Sequence, residues 1–278
     1  MSHTEVIAKA GEAPVVHHMD TKTAYDSAKL GIWLFLATEL LLFGVLFTAF
    51  AIFRWMYLEE FTYGAEKLNW KFGTLNTVIL IFSSFTAALA VDAAQHSQNK
   101  KVYKYFFISI ICAFMFLVVK YIEYYAKFDH GYFPFNIGYF ASAVFVCLSF
   151  AIGAAYFGAS KFCGYSRVKI SIVSIVSAIV LGFIALKIFY VEGAHDVVFN
   201  TQEFNEQYKI FFGLYYCMTW LHALHVIIGL GLLTWVVLLA KKNRFSDKYY
   251  TPVEVSALYW HLVDLIWIYL FPLLYLVG

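Results

Sequence analysis

Residues 28–53 read AKLGIWLFLATELLLFGVLFTAFAIF, and from Gly31 to Phe53 the only charged side chain is Glu39. A helix needs about 20 mostly apolar residues to cross the hydrocarbon core of a bilayer. Only a helix or a closed barrel satisfies every backbone N–H and C=O in that layer, so this stretch is expected to be a membrane-spanning helix. Six further runs have the same character, at about 74–95, 103–126, 138–160, 168–190, 209–240 and 254–277. The expected fold is therefore all-α, a polytopic transmembrane bundle of seven helices, with a polar tail over 1–27 and a single membrane domain over 28–278. The sixth run is the longest and is expected to project from the membrane.

Composition agrees with lipid as the main solvent. The 278 residues are 62% hydrophobic and 14% charged, with a mean hydropathy of +0.70, far from the charged surface of a soluble domain. The net charge is +2 and no long block of like charge occurs, so nothing marks a nucleic-acid partner. Cys112, Cys147, Cys163 and Cys217 lie inside or at the end of apolar runs without CxxC spacing, which points to packing rather than to zinc or disulfides. The opening 1–26 has neither the short apolar core of a secretory signal nor the acid-poor character of a transit peptide, so the first span is expected to direct insertion.

Basic residues set the expected orientation. With the amino terminus cytoplasmic, thirteen of the twenty Lys and Arg fall on the inner side: Lys9, Lys22, Lys29, Lys100, Lys101, Lys104, Lys161, Arg167, Lys169, Lys241, Lys242, Arg244 and Lys248. Arg54, Lys67, Lys71, Lys127 and Lys209 are assigned to outer connections and Lys120 and Lys187 to spans, the asymmetry of the positive-inside rule. The acidic connection from Glu192 to Gln207 reads as a solvated outer cap or a docking face.

Polar groups within the apolar runs are the candidate site. Glu39 follows the basic flank at Lys29 by ten residues, which puts it roughly 15 Å deep at the helical rise. A carboxyl at that depth is expected to be neutral, paired or turned inward, and is either functional or a neutral hydrogen-bonding group between helices. Lys120, Glu123 and Tyr124 close the third span, with Lys120 and Glu123 at a spacing that lets them pair on one helix face. His222 and His225 share a face of the sixth span; His261 and Asp264 share one of the seventh, beside Trp260 and Trp267 and below Glu254. The two pairs suggest a polar seam between these helices, or contacts to lipid. Three histidines are a thin set for haem or copper, and interhelical hydrogen bonds account for them better.

Several of these segments together resemble cytochrome c oxidase subunit III. They are Leu30-Gly31-Ile32-Trp33-Leu34-Phe35-Leu36-Ala37-Thr38-Glu39, Leu75-Asn76-Thr77, Ile122-Glu123-Tyr124-Tyr125, Phe211-Phe212-Gly213, Trp220-Leu221-His222-Ala223-Leu224-His225-Val226-Ile227-Ile228-Gly229, and Tyr259-Trp260-His261-Leu262-Val263-Asp264-Leu265-Ile266-Trp267. They occur in the family's order and touch five of the seven spans. The resemblance implies an accessory subunit of a proton-pumping haem-copper terminal oxidase, driven by cytochrome c or quinol, with no catalytic or metal-binding residue of its own. It implies packing against oxidase subunit I, with subunit II and small subunits nearby, bound phospholipids, and a respiratory supercomplex as the wider assembly; haem and copper would sit in the partners. It also implies a role for Glu39 in proton supply or oxygen access. The expected location is a bacterial cytoplasmic (inner) membrane.

The chain departs from the long form of that family, which begins with two extra helices enclosing a lipid-filled cleft; here the Gly31–Glu39 signature is already in the first span. Residues 136–192 instead read as a two-helix insertion into a five-helix core. Its small residues, Ser149 and Gly153, then Ser174, Ala178 and Gly182, permit close helix approach. Rival readings are the subunit III-like protein of a nitric oxide reductase, a stand-alone proton-coupled transporter using Glu39, Lys120 and Glu123, and a di-haem cytochrome b.

Overall fold

The computed structural model describes residues 20–129 and 206–276. These residues form one compact unit built from six helices and no strand: α1 (Thr21–Met56), α2 (Leu58–Glu66), α3 (Trp70–Gln95), α4 (Asn99–Asp129), α5 (Glu206–Lys241) and α6 (Thr251–Tyr275). All but α2 are long and apolar enough to cross a membrane; the chain is an integral membrane protein. The expected fourth and fifth spans, 138–160 and 168–190, the expected insertion 136–192 and most of the acidic connection lie outside the described residues.

Helix ends follow local chemistry. The Asn69 side chain accepts the Lys71 N–H at 3.1 Å and caps α3, satisfying one of the amide groups that a helix start leaves unpaired. α3 ends where Ser97 takes φ 57°, and α5 ends before Asn243 at φ 52°, left-handed positions that close a helix even without glycine. The two connections then clasp each other. Asn99 Nδ2 donates to the Phe245 carbonyl at 2.8 Å while the Phe245 N–H donates to Asn99 Oδ1 at 3.2 Å, and the Asp247 N–H donates to Ser97 Oγ. This end of the bundle carries Lys100, Lys101, Lys104, Lys241, Lys242, Arg244 and Lys248 and is called the basic end below.

The core lies among α3, α4, α5 and α6. α3 presents Ser83, Ala87, Ala90 and Ala94 inward, small residues on the helix that packs most extensively on α4, while Gly73 lies against Phe271 of α6; close van der Waals approach drives helix association where lipid removes the hydrophobic contrast. α5 meets α6 at Gly229, where an added Cβ would lie 2.6 Å from Trp260 Cζ3. Only glycine admits the fully buried indole there. α2, absent from the sequence reading, covers the end opposite the basic one: Phe61 packs edge-on to Phe50 and Phe211, with ring centroids 5.1 and 5.4 Å away, and Gly64 lies against the Phe211 ring.

α1 stands apart. Of the most apolar part of its span 11% is buried within the chain, against 50% for α6, and Leu30, Leu41, Val45 and Trp55 are exposed. Polar ties hold it at two levels, at Lys29 and at Glu39.

Candidate functional site

Glu39 lies near the middle of α1 and meets His225 of α5, with Oε2 2.9 Å from Nε2. The other ring nitrogen, Nδ1, is 2.7 Å from the Leu221 carbonyl, which can only accept, so Nδ1 carries a hydrogen. Nε2 then has one hydrogen only if the ring is doubly protonated. Either the carboxylic acid donates to a neutral imidazole, or an imidazolium donates to a carboxylate. In both forms one proton occupies the bond and the pair has zero net charge, the condition under which two titratable groups persist inside a membrane. Phe43 packs edge-on to the imidazole at 5.3 Å, and the Tyr259 hydroxyl donates to the His225 carbonyl. The pair therefore joins α1, α5 and α6.

Lys120 and Glu123 do pair, but in a larger cluster. Lys120 Nζ donates to Glu123 Oε2 at 3.0 Å and to the Tyr275 hydroxyl at 2.7 Å. Lys127 Nζ donates to Glu123 Oε1 and to the Tyr215 hydroxyl, both at 2.8 Å. Glu123 Oε1 also accepts from the Tyr215 and Tyr275 hydroxyls. All three charged residues are buried, at 3%, 2% and 6% exposure for Lys120, Glu123 and Lys127. Two ammonium groups face one carboxylate, and the Trp267 face 4.4 Å from Lys120 Nζ and the Tyr215 face 4.0 Å from Lys127 Nζ add π density to the cations. Tyr124 donates to Thr219, which donates to the Tyr215 carbonyl. α4, α5 and α6 are locked together here.

Lys127 corrects the sequence assignment to an outer connection: α4 runs past the expected end of the span, and the side chain turns inward to Glu123. Lys120, Glu123 and Lys127 follow i, i+3, i+7 spacing, the signal of one helix face that the sequence carried. Tyr215 and Tyr275 gave no comparable signal.

The two histidine pairs make no direct bond to each other. His261 Nδ1 lies 2.6 Å from Ser84 Oγ on α3, not against α5. His222 packs between Phe116 and Trp267, with centroids 5.5 and 5.2 Å away, and neither nitrogen makes a hydrogen bond. Asp264 is 2% exposed and both oxygens lack a hydrogen bond. The polar groups thus lie not on one seam between α5 and α6 but on several: α1 with α5, α3 with α6, and α4 with both. Trp260 donates to Ser83, beside which Thr86 and Ser109 bond at 2.8 Å. Glu254, toward the basic end, binds Lys29 at 2.8 Å and accepts from Tyr25 at 2.9 Å.

Among the described residues no group of three or more His, Cys, Asp or Glu converges. His225 is engaged by Glu39 and Leu221, His261 by Ser84, and His222 by aromatic rings, so these side chains do not fit a haem or copper centre, which needs imidazoles converging on one point.

The family model described as "Cytochrome c oxidase subunit III" matches residues 161–278. The cytochrome c oxidase subunit 3 of Thermostichus vulcanus is 24% identical over 252 residues, covering 90% of this chain and 88% of its own. That of Corynebacterium diphtheriae is 25% identical over 254 residues, 91% and 89% of the two chains. The chain is thus similar to cytochrome c oxidase subunit III, over residues 161–278 by the family model and along nine-tenths of its length by these relatives. A protein under another name, the quinol oxidase subunit 3 of Bacillus subtilis, is 23% identical over 255 residues, 90% of this chain and 86% of its own. The stretch that matches the family model contains α5 and α6 with His222, His225, Trp260, His261 and Asp264, while Glu39 and the Lys120–Glu123–Lys127 face precede it.

Proposed function

We propose that this chain is the accessory subunit III of a respiratory haem-copper terminal oxidase, a multi-pass protein of a bacterial cytoplasmic membrane with its amino terminus inside. The observation that carries the reading is the similarity, along nine-tenths of the chain, to proteins named cytochrome c oxidase subunit 3 and quinol oxidase subunit 3. Relatives bear both names, so the choice of electron donor belongs to other subunits. Haem and copper reside in those partners, oxidase subunit I being the main packing partner, and oxygen reduction takes place there.

Within that complex the Glu39–His225 pair holds an exchangeable proton in the membrane and supports proton uptake by the catalytic subunit. The exposed apolar face of α1 supports this reading. Leu30, Leu41, Val45 and Trp55 offer a surface that in lipid meets either acyl chains or a neighbouring subunit's helix. Structural phospholipids fill the part of that surface that no subunit covers. The buried lysine cluster contributes rigidity.

Two measurements test the proposal. A tagged chain extracted in mild detergent is expected to bring a haem-bearing partner with it; recovery of the chain with no haem protein would refute the assignment. In the assembled complex Glu39→Gln is expected to leave subunit content intact while lowering sustained turnover or proton uptake. Unchanged turnover and pumping in that variant would leave Glu39 a structural group.

A further inference from the structure

Among the described residues, Asn76, His222 and Asp264 are buried polar side chains that the pairs and clusters above do not engage. They are 0%, 0% and 2% exposed, and none of their six side-chain nitrogen and oxygen atoms makes a hydrogen bond. Helix register brings them to neighbouring levels. Trp260 bonds Ser83 and His261 bonds Ser84, and Trp267 Nε1, seven residues further along α6, donates at 3.1 Å to Thr77 Oγ1, six residues before Ser83 on the antiparallel α3. Asp264 accordingly lies at the level of Leu80, and Asn76 at that of Trp267. On the other side, Trp260 packs on Gly229 and Trp267 on His222, again seven residues apart, so His225 shares the level of Asp264 and His222 the level of Asn76. Phe116, 4.9 Å from Trp267 and 5.5 Å from His222, closes the side toward α4.

Buried polar atoms are rarely left unpaired, because each costs the full loss of its contacts with water. Three such side chains within two helical turns, on three different helices, share one solution: ordered water, which makes about three hydrogen bonds to groups of this kind. Ser84, the polar neighbour of Asp264, has a single hydrogen and lies 2.6 Å from His261 Nδ1, so it can serve at most one of the two Asp264 oxygens. One carboxyl, one imidazole and one amide are too few anionic or soft donors for a metal ion. We propose that Asn76, His222 and Asp264 hold an internal hydration site between α3, α5 and α6, at the membrane level of the Glu39–His225 pair. Waters there accept from the Asn76 amide and the imidazole N–H and donate, two hydrogens each, among Asn76 Oδ1, the bare imidazole nitrogen and the Asp264 oxygens. They make those atoms part of one hydrogen-bonded group, and they do so whichever complex the chain belongs to.

The test uses the intact complex in which the chain is purified. A map at a resolution that shows ordered water is expected to contain density within hydrogen-bonding distance of at least two of the three side chains. In the same complex Asn76→Leu and Asp264→Leu are each expected to lower the melting temperature. Their combination is expected to lower it by clearly less than the sum, because the second change removes water already released by the first. A map with no such density, together with single variants that melt at or above the parent temperature, overturns the proposal. That outcome leaves the proposed oxidase role untouched, since the co-purifying haem protein is read separately.

Discussion

Two groups of buried polar side chains lie close together in this bundle and are treated in opposite ways. Around Glu123 three charges are held by direct bonds, with four hydrogen bonds converging on one carboxylate. A helical turn or two away, Asn76, His222 and Asp264 have no direct partner at all. The first arrangement suits a fixed joint, because both ammonium groups and both tyrosine hydroxyls bond the carboxylate and movement would expose a charge. The second suits a place whose contacts can be remade. Trp267 belongs to both: its ring lies 4.4 Å from Lys120 Nζ and 5.2 Å from the His222 ring.

The sharpest way to break the contrast is to remove the carboxylate from the first group. Glu123→Leu leaves two buried ammonium groups without a counter-charge, a change that costs about 3–5 kcal/mol, and recovery of assembled complex is expected to fall steeply. Retention of the parent melting temperature would show that the cluster is hydrated rather than sealed. Next comes the tie at the periphery. Glu39→Leu strands His225 Nε2 and is expected to weaken the docking of α1 by about 1–3 kcal/mol, seen as faster proteolysis within the α1–α3 connection. Glu39→Gln keeps a donor for the ring and is expected to be milder on the same assay.

A smaller effect is expected from Lys127→Met. Glu123 keeps Lys120, and the mutual repulsion of the two ammonium groups disappears, so the loss should be about 1–2 kcal/mol, well below that of Glu123→Leu in a side-by-side melt. Equal losses would show that Lys127, not the carboxylate, is the centre of the joint. The smallest change is His261→Phe, which removes one bond to a half-buried Ser84 and is expected to cost about 0.5–1.5 kcal/mol, with subunit composition on native gels unchanged.

The spans among the described residues were legible because apolar runs of membrane length are set by bilayer thickness, a constraint every residue in the run reports. α2 was not: nine residues with Glu59, Glu60 and Glu66 carry no such run, and Phe61 becomes a core residue only once Phe50 and Phe211 surround it. Glu39 stood out by depth, yet its partner lies 186 residues away, a distance over which helix periodicity is silent. The same reasoning explains the histidines. Periodicity says that His222 and His225 share a face, but the neighbouring helix that each ring meets depends on how α1, α3, α4 and α6 are arranged around α5. Lys127 was misplaced because charge marked it as a surface residue, whereas α4 continues to Asp129 and an acidic partner one turn earlier draws the side chain inward.

The distance between Glu39 and His225 also bears on how the protein is made. A ribosome finishes α1 long before it reaches α5, so the first helix enters the bilayer with an acidic group whose mate has yet to be translated. The leucines and phenylalanines around Glu39 must carry it in unaided. Only when the last two helices emerge do His225 and Glu254 arrive, the second meeting Lys29, so newborn α1 is a lone passenger that the carboxy-terminal helices later fasten in place.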